Sequence, residues 1–163
     1  MSYNPQNWYW VVAGSTTQVY SSARTEYVSV SDATYEAWLA AGNQPTKIDT
    51  DANLQAVIYQ SGVLGLSVTS TSTPALNGVF AVSDISQSDI NAVATYIEIN
   101  GTFPQGQSVT YWAQKNGTVI EFPNVAVFKA FATAVADYVD AFEDYLNSGG
   151  TIGSLPSPNV TII

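Results

Sequence analysis

The sequence predicts an α+β fold, and three observations carry that prediction. Short runs of β-formers cluster early, at residues 8–13 (WYWVVA), 18–21 and 26–30, each bounded by turn residues. An Asn-Gly pair, Asn116-Gly117, separates two alternating runs at 108–114 and 118–122. Directly afterwards, apolar residues recur at helical spacing from Val125 to about Leu146. Strands and helices therefore come in groups: a small antiparallel meander with two helices, then a strand–helix–hairpin–long helix module.

Taken in order, Gly14-Ser15 ends the first strand, and residues 22–24 separate the second from the third. Ser31 is placed to cap a helix over 32–41 that Gly42 stops, with Tyr35, Trp38 and Leu39 as its buried stripe. Pro45 and Lys47 fall in a short connection. Asp49 or Thr50 caps a second helix through Gln60, with Leu54, Val57 and Ile58 inward, and Gly62 stops it. Residues 63–68 read as a strand or an extended linker. The run TSTSTP at 69–74 has the composition of a flexible joint, so residues 63–77 are expected to be a Ser/Thr-rich linker between modules at 1–62 and 78–148.

In the second module residues 79–82 form a short strand. Ser83 or Ser86 caps a helix through Ile99, with Ile90, Val93, Ala94 and Ile97 on one face, and Asn100-Gly101 terminates it. Residues 103–107 are a turn-rich bridge to the hairpin. Asn-Gly suits a two-residue type I′ turn, which would pair Ala113 with Ile120 and Tyr111 with Phe122. That register puts Val109, Tyr111, Ala113, Ile120 and Phe122 on one face, and Thr110, Trp112, Gln114, Val119 and Glu121 on the other. Pro123-Asn124 breaks the strand and caps the long helix. Phe128, Phe131, Val135, Tyr138, Val139, Phe142 and Leu146 fall in one arc of it, ready to lie on the hairpin. The tail, 149–163, holds Pro156 and Pro158 and ends in apolar residues, which suits docking on its own domain or on a neighbouring chain.

Composition narrows the function. The chain's 163 residues suffice for one good core or two small modules sharing contacts. Charged content of 10% beside 46% hydrophobic argues against general disorder. No apolar run reaches the roughly 18 residues of a membrane span, and residues 1–10 lack the pattern of a signal peptide. A net charge of −9, with Arg24, Lys47, Lys115 and Lys129 scattered, argues against nucleic acid as a partner. Histidine and cysteine are both missing, which removes His-assisted nucleophiles and the usual zinc sites. No phosphate- or dinucleotide-binding motif is present, so no cofactor is expected.

Carboxylates remain as candidate chemistry. Asp137, Asp140 and Asp144 share one helix face, as a solvated surface or, alternatively, as a cation site or glycosidase-like acid pair. Residues 49–53 superficially match the start of an EF-hand loop but lack its Gly and Glu, and helix capping explains them better. Aromatics beside Ser, Thr, Asn and Gln suit protein or carbohydrate contacts as well as core filling. The candidate interaction surface is therefore Trp8, Trp10, Trp112, Asp137, Asp140, Asp144, Ile162 and Ile163.

Two stretches carry a family resemblance. Residues 8–58, with YWVVAG, TQVYSS, YVSVSDATYEAWLAAGNQP and IDTDANL, resemble the N-terminal module of bacteriophage and prophage tail-associated proteins. The match lies in Tyr9, Trp10, Val11, Tyr20, Trp38, Leu39, Gly42, Asn43 and Pro45. Residues 78–146, with FAVSDISQSDINAVATYI, VTYWAQKNGTVIEF and FKAFATAVADYVDAFEDYL, are similar to an uncharacterised domain common at the C-terminal end of phage tail-fibre proteins. The resemblance implies a non-catalytic structural or interaction protein of a phage-type tail, placed in the virion after synthesis in the bacterial cytoplasm. Its implied partners are other tail or fibre proteins, with a homo-oligomer and a glycan as further candidates. A tail-fibre assembly chaperone and a module binding host glycans are the alternative functions.

Overall fold

Trp8 and Ser22 exchange backbone and hydroxyl hydrogen bonds, the Trp8 N–H reaching Ser22 Oγ at 2.8 Å, and this closes the base of the first hairpin. Its strands are β1 (Tyr9–Val12) and β2 (Gln18–Ser21), followed by β3 (Glu26–Ser29). Ala13 and Gly14 both have positive φ, at 50° and 67°, and the Ser15 N–H bonds the Val12 carbonyl. These are the marks of a type I′ turn, here without Asn-Gly. The computed structural model describes residues 3–150 and 155–163. It divides the chain into two compact units, Met1–Val63 with Leu146–Ile152, and Leu64–Tyr145 with Gly153–Ile163. Its helices and mixed sheets give the α+β class expected from sequence.

The first unit's sheet is not the expected antiparallel meander alone. A fourth strand, β4 (Thr46–Ile48), lies parallel to β1 in the order β3-β2-β1-β4, where the sequence suggested only a connection. Its three residues are too few to show a period of two. Successive residues of β1 face opposite sides. Tyr9 meets Tyr35 and Trp38 of α1 (Ala33–Ala40), with ring centroids 4.9 and 5.0 Å away. Trp10 lies opposite, beside its cross-strand partner Tyr20. Tyr27, which pairs with Tyr20, donates its hydroxyl to Asp51 at the start of α2 (Asp51–Gln60), so α2 covers that second face. Asp32, rather than Ser31, caps α1 by accepting from the Thr34 and Tyr35 N–H groups, while Ser31 turns to Ser29. Leu39 falls outside the buried stripe and is exposed.

In the second unit the Ser/Thr-rich segment is no joint. Residues of it complete β5 (Gly65–Ser70), the middle strand between β6 (Gly78–Ala81) and β9 (Asn159–Ile162). The hydroxyls serve as bonding partners: buried Ser70 donates to the Ile163 carbonyl at 2.6 Å and accepts from the Thr73 N–H at 3.0 Å. The expected linker thus holds a central strand, and the tail's described part docks on its own unit as β9, parallel to β5.

Ser83 caps α3 (Asp84–Asn100), and Gly101 ends it at φ 73°. The hairpin strands are β7 (Thr110–Ala113) and β8 (Val119–Phe122), in a register one residue off the expected one. Thr110 pairs with Phe122 and Trp112 with Ile120. Gly117, at φ 85°, donates to the Gln114 carbonyl while Asn116 keeps negative φ. The loop therefore has three residues, a type I turn followed by a left-handed glycine. One extra residue flips β7, placing Trp112 with Ile120 and Phe122 on the core side and leaving Tyr111 exposed on Glu121.

Asn124 caps α4 (Val125–Asn147) by accepting the Val127 N–H. Beneath it Phe80, Phe122, Phe128 and Phe131 form one cluster, with Phe122 5.1 Å from both helical rings. Phe103, expected in a bridge, is fully buried against Phe128. The helix does lie on the hairpin.

Candidate interaction groove

α4 is wider in apolar character than its phenylalanine arc. Ala130, Thr133, Ala134, Asp137, Tyr138 and Ala141 recur three and four residues apart, a stripe along one side of the helix. This stripe walls an open groove of about 530 Å³. Small side chains leave the space, and Leu66 and Tyr138 make much of it apolar. The opposite wall includes Asn159 through Ile163 without a gap. Leu66 of the middle strand lines the same groove, which therefore runs along β9 beside the sheet.

Among the described residues, the outer edge of β9 carries backbone groups that no other strand uses. The Pro158 and Ile162 carbonyls accept from Ser67 and Thr71, so on β9 the even-numbered positions face β5. Asn159 and Thr161 face the other way, as does the Ile163 N–H, while the Ile163 carbonyl turns back to Ser70. The Asn159 N–H turns back to Ser157 Oγ at 3.2 Å. Among the described residues, β9 has no second neighbouring strand.

The eight sequence candidates scatter. Asp137, Ile162 and Ile163 meet in the groove, but Ile162 is 6% exposed and is a structural residue, which corrects its place on the surface. Ile163 is exposed. Trp10, at 1% exposure, is core and cannot present its ring to a partner. Trp8 is half-buried, donating its indole N–H to Thr46 Oγ1 and flanked by the Tyr3 and Trp38 rings. Trp112 is half-buried on Phe128. Asp140 lies with Asp137, Glu143, Gln87 and Asn91 around a polar hollow of about 420 Å³, and Asp144 is exposed. Among the described residues no group of three or more carboxylates is close enough to hold a metal ion.

Sequence reasoning missed Ala130, Thr133, Ala134 and Ala141. Their signal was present: small residues at helical spacing beside the aromatic arc mark a face with room against it. The strand edge had a weaker signal, the run VTII at 160–163. The chain matches no family model, no curated protein and no solved structure.

Proposed function

We propose that this chain is a non-catalytic structural or interaction protein of a phage-type tail, associated with its fibre, and that it binds through the α4–β9 groove. The supporting observation is the coincidence of an apolar slot with an open strand edge. Such an edge offers a row of donors and acceptors that another chain can use. The resemblance of both halves to tail-associated proteins supplies the setting. Glycan recognition draws less support, because Trp10 is enclosed and Trp8 keeps only part of its ring free.

Mass spectrometry of purified particles tests the assignment. The chain is expected in them at a stoichiometry comparable to other tail proteins. Particles lacking it, from cells that produce it, would overturn the structural role in favour of an assembly chaperone that departs.

A further inference from the structure

We infer that the groove takes an extended, cationic peptide segment of a partner protein, added as a further strand on the free edge of β9. This rests on reading the chain as an interaction protein and names what its groove recognises. Three features converge on that occupant.

The first is the pattern of backbone groups. Thr161 directs both its N–H and its carbonyl away from β5, with the Asn159 carbonyl and the Ile163 N–H on either side. A strand laid there bonds all four, as strand addition to an open sheet edge requires. The second is size. From Ala130 to Ala141 the helix rises about 16 Å at ~1.5 Å per residue, which matches about five residues of extended chain. A helix bonds its own backbone groups internally and would leave those of the β9 edge without partners.

The third is charge. Asp137 stands in the groove, and Asp140 and Asp144 continue the exposed acidic line along α4. Among the described residues none of the ion pairs involves these three. Lys129, the one basic residue of α4, is bonded to Glu98. A lysine or arginine on the incoming strand would meet Asp137 beside an apolar wall, where a charge-assisted bond is stronger than in open water. The same charge disfavours a second copy as occupant, since the chain carries −9.

The test selects from a random heptapeptide library displayed against the immobilised full chain. Selected peptides are then synthesised and titrated by fluorescence anisotropy. The expected winners alternate β-formers with polar residues and carry at least one lysine or arginine. Thr161→Pro removes an edge N–H that the sheet does not use, and Asp137→Lys reverses the charge at an exposed position. Each is expected to weaken binding about tenfold or more, with unchanged circular dichroism. Should Thr161→Pro unfold the chain, Asp137→Lys alone decides. No selected peptide, winners without a cation, or affinity unmoved by Asp137→Lys would overturn the inference. Self-association that the same variants abolish would overturn it in favour of a second copy. Failure here leaves the chain's presence in particles untouched, and absence from particles leaves the peptide result untouched.

Discussion

In the first unit β1 lies between β2 and β4 with a helix on each face, whereas in the second β9 stands at the margin of its sheet with a groove beside it. Both units are rich in aromatic and small polar residues, yet they use them differently. The first encloses Tyr9 and Trp10 on opposite faces of one strand, so its most conspicuous aromatic run is consumed by packing. The second gathers Phe80, Phe122, Phe128 and Phe131 at one part of α4 and leaves alanines and Asp137 to face the groove. Aromatic density therefore says little about where open surface lies. Small residues on a helix face say more, as Ala130, Ala134 and Ala141 do here.

The largest expected effects test whether each unit depends on its own aromatic centre. Phe131→Ala removes a fully buried ring in contact with Phe80 and Phe122 and is expected to cost about 3–5 kcal/mol. Trp10→Ala should cost a similar ~3–5 kcal/mol in the first unit. Urea unfolding of each variant, followed by tryptophan fluorescence and by circular dichroism, measures both. If Trp10→Ala were nearly neutral, the two-faced enclosure of β1 would be the wrong account of the first unit.

A smaller effect is expected at the cap of α2. Thr50 accepts the Asn53 N–H at 3.1 Å, and Thr50→Ala should cost about 1 kcal/mol in the same assay. Thr50→Asp restoring that loss would tie it to capping rather than packing.

The sequence was most readable along its longest periodic segment. α4 shows both a cap at Asn124 and a long periodic arc, and it forms as expected. In the hairpin, turn chemistry and alternation agreed on a register that is one residue off. Asn-Gly correctly locates the turn, but a three-residue loop uses the same pair, and one residue decides which way Trp112 faces. β4 and β9 are short strands formed by long-range parallel pairing, which leaves little local trace. The Ser/Thr run misleads for a related reason. Its hydroxyls suit an exposed joint by composition, but here they bond to carbonyls and N–H groups brought from residues 162–163 and 73. Of the groove, Asp137 and the two terminal isoleucines were visible as candidates. Their convergence was not, because it depends on where β9 docks.

Acid sensitivity tests the Arg24–Asp32 contact of the first unit. The Arg24 guanidinium, joined by the Tyr35 N–H, holds the Asp32 carboxyl down at about 2, below its ordinary 3.8. A carboxyl depressed by folding adds stability above its unfolded value, and that contribution disappears as pH falls through the folded one. The first unit should thus lose this contribution between pH about 4 and about 2. Asp32→Asn preserves capping, since Asn caps well, and should flatten that part of the profile. Stability measured against pH for both proteins checks it. An unchanged slope would mean that the Arg24 contact contributes nothing in solution.

The smallest effect is expected on the acidic face of α4, where it also bears on the groove. Asp140 has Asp137 and Asp144 three and four residues away, and like charges at those spacings repel by a few tenths of a kcal/mol. The C-terminal part of a helix adds its own unfavourable field for an anion. Asp140→Asn should therefore leave stability within about 0.5 kcal/mol, tending upward, in a thermal melt. Asp137→Asn should be as mild for stability yet should weaken the selected peptides, because only Asp137 faces the groove. That split, neutral for folding and costly for binding, would show the acidic line serving a partner. A large loss of melting temperature in Asp140→Asn would instead mean that the carboxylate is held by the fold, against its exposed position on α4.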